Sequence, residues 1–109
     1  MPREVGVVAG TLGLLILRVL QTGPLHGYAI AQRIHVLSKE ELNVEEGSLY
    51  PALHRLLLQG AIKGAWTTSD TGRRVREYHL TADGRRQLEA TLLEYRRTAR
   101  AIGWLLDNA

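Results

Sequence analysis

Residues 46–56, EGSLYPALHRL, set two kinds of side chain at helical spacing, and that narrows how the segment can fold. Leu49, Leu53, Leu56 and Leu57 follow i, i+4, i+7 and i+8, the rhythm of a single core-facing stripe. Ser48, Pro51, His54 and Arg55 fall on the other side, and Tyr50 sits at the edge. A helix fixed to a core by one face, with hydrogen-bonding and cationic groups on the other, has the form that reading a DNA major groove requires. Every amphipathic surface helix has a polar face, so the weight of the pattern depends on its surroundings.

A hairpin with a basic tip follows it. Residues 61–66 read as one short strand and residues 75–80 as the other. In the second strand Val75, Glu77 and His79 point one way, and Arg76, Tyr78 and Leu80 the other. Between the strands, residues 67–72 (TTSDTG) are turn chemistry, and Arg73 and Arg74 come directly after. A helix followed by an arginine-tipped hairpin is the order of a winged helix-turn-helix. The predicted fold class is mainly α with a small β-hairpin: a winged helix-turn-helix plus one long C-terminal helix. Residues 1–80 form the DNA-binding part and 81–109 a dimerisation helix, together one compact domain.

A chain of 109 residues suffices for one domain with a thin core, which a dimer would thicken. The hydrophobic fraction of 45% is too high for a disordered chain. The net charge is +3, and Lys39 and Lys63 are the only lysines, so arginine supplies nearly all the positive charge. That favours an anionic partner without naming one. The charge gathers in residues 73–86, where five arginines face only Glu77 and Asp83. A solvated basic face remains the bland alternative.

The chain has no cysteine, which removes disulfides, thiolate metal sites and cysteine nucleophiles and fits a reducing cytoplasm. His26, His35 and His79 lack metal-ligand spacing and clustered carboxylates, so no metal and no cofactor is expected. No set of nucleophile, base and orienting group is visible, and an enzyme is not expected. The apolar run 5–17 is ended by Arg18, too short for a membrane span and without a cleavage site, so it reads as a buried first helix over about 9–21. Gly23 and Pro24 stop it. A second helix covers 26–37, and 38–44 is the turn before the third helix, which starts near Glu45 or Glu46 and ends at Gly60. The two glutamates suit the helix dipole but repel phosphate, so DNA contacts should begin at Ser48.

In the last segment Thr81 is a candidate N-cap. Leu88, Leu92, Tyr95, Ala99, Ile102 and Leu106 then recur at spacings of four and three, a heptad seam nearly three repeats long. Either the seam folds onto its own core or it packs against a second copy around a two-fold axis. The dimer is the more economical reading, since two recognition helices would then meet two half-sites of a pseudo-palindromic operator about 34–36 Å apart.

The segments GSLYPALHRL (47–56), PLHGY (24–28) and RRVREYHLTADG (73–84) resemble, in order and spacing, the recognition helix, second-helix entry and wing strand of the PadR family of bacterial transcriptional regulators. Ending at Ala109, the chain resembles the short form with a single terminal helix. The resemblance implies a dimeric, sequence-specific DNA-binding regulator. It implies a repressor in the family's usual mode, released by a small hydrophobic or aromatic effector. In some short members an aromatic residue of the terminal helix lines a pore at the dimer interface. Trp104 is the matching candidate for effector contact, with a plain interface or exposed tryptophan as the alternative.

On that reading Ser48 and Tyr50 bond phosphates, Pro51 makes apolar contact with the groove, and His54 and Arg55 read bases or phosphates. Tyr28 braces a phosphate, unless it is a core tyrosine. Arg73 and Arg74 bind the minor groove or its flanking phosphates. Arg76 is set apart by alternation, which places it beside Tyr78 and Leu80. Four positions depart from the family pattern: Gly13 for a frequent Asp, Leu57 and Leu58 for charged or polar residues, and Ala61 for a bulky one. The last suggests loose packing under the wing. The competing function is a winged-helix module for protein–protein assembly, whose binding would depend weakly on salt; DNA binding would depend on it steeply.

Overall fold

The computed structural model describes residues 5–6 and 10–109. The elements in chain order are β1 (Val5–Gly6), α1 (Leu12–Leu20), β2 (Leu25–His26), α2 (Gly27–Leu37), β3 (Leu42–Asn43), α3 (Glu46–Leu58), β4 (Ile62–Thr68), β5 (Arg74–Leu80) and α4 (Ala82–Asn108).

Helix α1 is apolar on nearly every side and becomes the hub, packing on α2, α3, α4 and β5. It is shorter than its apolar run suggested. Gly10, with φ +91°, breaks helical geometry ahead of Leu12, and residue 9 lies outside the described residues. The core gathers Ile16 and Leu17 of α1, Ile30 of α2, Leu49 and Leu53 of α3 and Ile62 of β4, all essentially fully buried. Burying side chains of this size stabilises by roughly 1.5–3 kcal/mol each before the entropic cost of folding.

His26 begins α2 as its N-cap, its Nδ1 accepting the Ala29 N–H at 3.3 Å. At the other end the Ser38 hydroxyl donates to the His35 carbonyl at 2.9 Å and accepts the Leu42 N–H at 3.0 Å. Lys39 and Glu40 then take left-handed backbone, φ 57° and 64°, and reverse the chain. The turn between α2 and α3 is not wholly irregular, because β3 pairs in parallel with β1.

The expected hairpin is present as β4 and β5, paired from Ile62–Leu80 out to Thr68–Arg74. Its loop is 69–73, closed by the Ser69 N–H donating to the Arg73 carbonyl at 2.7 Å, with Gly72 at φ +82°. The sheet has three strands rather than two: β2 adds to the inner edge of β5, pairing Leu25 with Tyr78 and His26 with Glu77. The base of the wing is thereby tied to the start of α2.

Thr81 caps α4 as expected, accepting the Gly84 N–H at 3.0 Å. Its hydroxyl also faces the carbonyls of Gly60 and Ala61 at 2.6 and 2.9 Å, and its own N–H donates to Ala61. Packing under the wing is tight, contrary to the expectation from Ala61. That residue is fully buried because α4 lays Gly84 against it.

The seam of α4 divides. Leu88 is 2% exposed within this single chain, so it belongs to the protomer's own core, not to a free seam. The reason is geometric: α4 packs on α1, and Leu88 falls in its second turn. Leu92 is half-buried against the same core. Tyr95, Ala99, Ile102 and Leu106 lie beyond it and are exposed.

Candidate nucleic-acid interface

Helix α3 presents the face its sequence called for. Leu49, Ala52, Leu53 and Leu56 are buried, and Leu57 packs partly against them. Ser48, Tyr50, Pro51, His54 and Arg55 are all exposed along the opposite side. Leu58 also lies open, at 75% exposure. Pro51 sits inside the helix and leaves the Gly47 carbonyl without its helical partner, on a side that water reaches. Glu46 occupies the first turn, so the positive end of the helix is already partly neutralised.

The wing stands beside this helix, and an open groove runs between them, with Tyr28 and Tyr50 on one wall and Trp66, Arg73, Arg74 and Arg76 on the other. Tyr28 is a surface residue, 65% exposed, whose hydroxyl accepts from Gln32 Nε2 at 3.4 Å; this excludes the core alternative. Tyr50 leans back onto α2, where Gly27 leaves room for its ring: a β-carbon at Gly27 would stand 3.1 Å from the Tyr50 hydroxyl.

Strand register decides which wing side chains enter the groove. Gly64, Trp66 and Thr68 pair with Tyr78, Arg76 and Arg74, so these six share one face. Arg74 lies over the Trp66 ring, its guanidinium carbon 4.7 Å from the centroid, and Arg76 lies 5.8 Å from the centre of Tyr78. Both distances suit cation–π contact. Tyr78 closes the base of the groove and is buried. Burial holds its phenol above the ordinary value, the Arg76 guanidinium partly opposing that rise and the Tyr50 phenol adding to it. Alternation puts Glu77 on the opposite face, where its carboxylate meets His79 Nε2 at 3.1 Å.

Tyr28, Tyr50, Arg73 and Arg74 thus share one groove, while Ser48, Pro51, His54 and Arg55 form the adjoining helix face. Trp104 lies far along α4, 63% exposed, on neither surface. Trp66 was not anticipated as a member of the site. Its signal was available in the register of the hairpin, which sets an indole directly across from an arginine. Among the described residues no cluster of three His, Asp or Glu is placed to hold a metal ion, and no helix is long and apolar enough to cross a membrane.

Comparison with known proteins gives a consistent picture. Residues 16–90 match the model of the transcriptional regulator PadR-like family. A PadR family transcription regulator from Clostridium difficile is 30% identical over 89% of this chain and 99% of its own, with a TM-score of 0.75. A transcriptional regulator from Clostridium thermocellum is 29% identical over 86% of this chain and 91% of its own, with a TM-score of 0.79. A PadR-like regulator from Bacillus cereus is 27% identical over 92% and 95%, with a TM-score of 0.75. An uncharacterised protein of Lysinibacillus sphaericus is 23% identical over 94% of both chains. PadR-family transcription regulators are non-enzymatic DNA-binding proteins, in keeping with the α3 face and the arginine-lined wing. From the match over residues 16–90 and these relatives, the chain belongs to the PadR-like family of transcriptional regulators.

Proposed function

We propose that this regulator is a dimeric, sequence-specific repressor that leaves its operator when a small hydrophobic or aromatic effector binds. The observation that carries the reading is the distribution of apolar surface. Tyr95, Ile102, Trp104, Leu105 and Leu106 of α4 are about half exposed or more, all on the part of the helix past its own core. The helix is about 40 Å long, from its 27 residues, and only its first half is covered. The radius of gyration, 15.2 Å, exceeds the roughly 13 Å of a compact chain this size, as a projecting helix requires. A second copy packed around a two-fold axis covers that surface and sets two α3 helices against two half-sites.

In this arrangement Ser48 and Tyr50 bond phosphates and Pro51 packs in the major groove. His54 and Arg55 read base edges or phosphates, and Tyr28, Arg73 and Arg74 hold the flanking backbone and minor groove. In the dimer, Trp104 is the residue that contacts an effector held between the two terminal helices, a role supported by its 63% exposure on the uncovered part of α4. An effector that prefers a dimer with altered half-site spacing lowers operator affinity by shifting population. The protein acts in the cytoplasm, where its DNA is.

The test is binding to duplex DNA from just upstream of the protein's own gene, against a scrambled duplex, over a salt series, with the mass in solution measured by light scattering. A dimer with selective, salt-steep binding supports the proposal. A monomer overturns the dimeric arrangement, and binding to neither duplex at low salt overturns the DNA-binding reading and favours a protein-assembly role.

A further inference from the structure

We propose that Trp66 is a positioning residue for DNA recognition that acts through Arg74; this rests on the DNA-binding reading above. Aromatic and cationic groups alternate up one face of the wing: Tyr78 at the base, then Arg76, Trp66 and Arg74 toward the tip. Trp66 is 61% exposed, so burial does little to hold it there, while its ring contact is with Arg74 at 4.7 Å. Among the described residues Arg74 has no carboxylate partner, and the nearby Glu77 is engaged with His79. Arg74 is therefore a cation resting on a ring, not one neutralised in an ion pair. Arg73, in the loop position next to it, has no such platform among the described residues.

Gly64 supports the same arrangement one step down. A β-carbon there would run into Nε of Arg76 and stand 2.9 Å from one of its terminal nitrogens, so the missing side chain is the space in which that guanidinium lies. The two arginines are laid across the hairpin by a ring and by a gap, both turned to the groove shared with Tyr28 and Tyr50. An arginine docking on phosphate or entering a minor groove loses rotamer freedom, and one already stacked has less to lose. The planar face of the guanidinium stays on the indole while its edge N–H groups remain available to phosphate oxygens. Trp66 thus sets the direction from which the wing meets DNA.

The experiment measures anisotropy binding of Trp66→Leu, Trp66→Phe, Arg74→Ala, Arg74→Lys and Trp66→Leu/Arg74→Ala. The probes are the upstream duplex and, at low salt, a random-sequence duplex, and thermal melting monitors the fold. Trp66→Leu is expected to weaken binding about two- to five-fold, the worth of an exposed cation–π contact, and Trp66→Phe to restore most of it. Arg74→Lys keeps the charge without the planar face and should lose a similar factor. Trp66→Leu should cost nothing further once Arg74 is alanine, because the ring acts only through that side chain. Losses that multiply in the double variant overturn the proposal. So does tighter binding by Trp66→Leu, which would mean that the ring sequesters Arg74. If the unaltered protein binds neither duplex, the DNA-binding reading itself fails; if it binds and only the coupling is missing, the positioning role alone fails.

Discussion

Gly84, in the first turn of α4, lies so close to the Ala61 carbonyl that a β-carbon on it would overlap that oxygen and stand 2.7 Å from Leu80 Cδ1. The obstruction is backbone, which cannot swing aside as a long side chain would. The contact joins the start of β4 to the start of α4, where Thr81 already bonds Gly60 and Ala61.

Gly84→Ala therefore separates wing and terminal helix. The expected loss of stability is at least about 1–3 kcal/mol, the range of overpacking in a well-filled core. Denaturant unfolding measures it. Gly47→Ala in α3 is the control, since a β-carbon there meets nothing within 4 Å. It should leave stability unchanged or raise it by up to about 1 kcal/mol. Equal behaviour of the two variants would dismiss the contact.

The division of the α4 seam predicts two different mutant phenotypes. Leu88→Ala opens a cavity in the protomer's own core, where the side chain is 2% exposed, and should cost about 2–5 kcal/mol. Ile102→Ala, at a side chain 50% exposed in the single chain, should do little to an isolated protomer. In a dimer it should shift mass toward monomer and weaken the dependence of Tm on protein concentration. Light scattering and melts at two concentrations separate these outcomes. Concentration-independent melting of the unaltered protein would remove the seam from any interface.

What the sequence made legible follows physical scale. The two faces of α3 were readable because thirteen helical residues sample the 3.6 period several times, and every face assignment there was met. The cap at Thr81 was readable because capping is local. Strand β2 was not, since two residues cannot show an alternation and their partner Tyr78 lies far along the chain. The Ala61–Gly84 contact is hidden for the same reason: a small residue in the sequence reads as a gap, and only the fold brings a glycine up against it. Leu88 illustrates a different limit. Heptad spacing reports that a stripe is apolar, and the same spacing serves a protomer's own α1 or a partner's helix. The role of Trp66 needs the hairpin register, which only the pairing of both strands defines.

Tyr78 makes a pH prediction whose sign follows from burial. The fold keeps its phenol protonated beyond the ordinary value, near 10, so the native chain binds this proton more tightly than the unfolded chain. The stabilisation is complete below the unfolded value and is lost as pH rises through the folded one. In a titration followed by ultraviolet absorbance, Tyr78 should ionise later in the folded chain than in the unfolded one. Tyr78→Phe should abolish that late step and make the alkaline decline in stability less steep. Ionisation of Tyr78 at the same pH in the folded and the unfolded chain would contradict the burial argument.

On the proposed reading, helix face and wing meet different parts of DNA and should therefore fail differently when mutated. His54 and Arg55 stand exposed in the middle and latter part of α3, where in that proposal they read base edges. Arg73 lies in the wing loop, where in the same proposal its cation meets phosphates or the negative minor groove. Replacing a base reader by alanine should cost about 1–3 kcal/mol on the preferred duplex and little on a random one, narrowing the ratio between them. Arg73→Ala should weaken both duplexes by a similar factor and reduce the salt slope by about one. The comparison requires only the two duplexes and a salt series. If His54→Ala and Arg55→Ala leave the ratio intact while Arg73→Ala collapses it, the wing rather than α3 carries sequence recognition, and the assignment of the two surfaces must be exchanged.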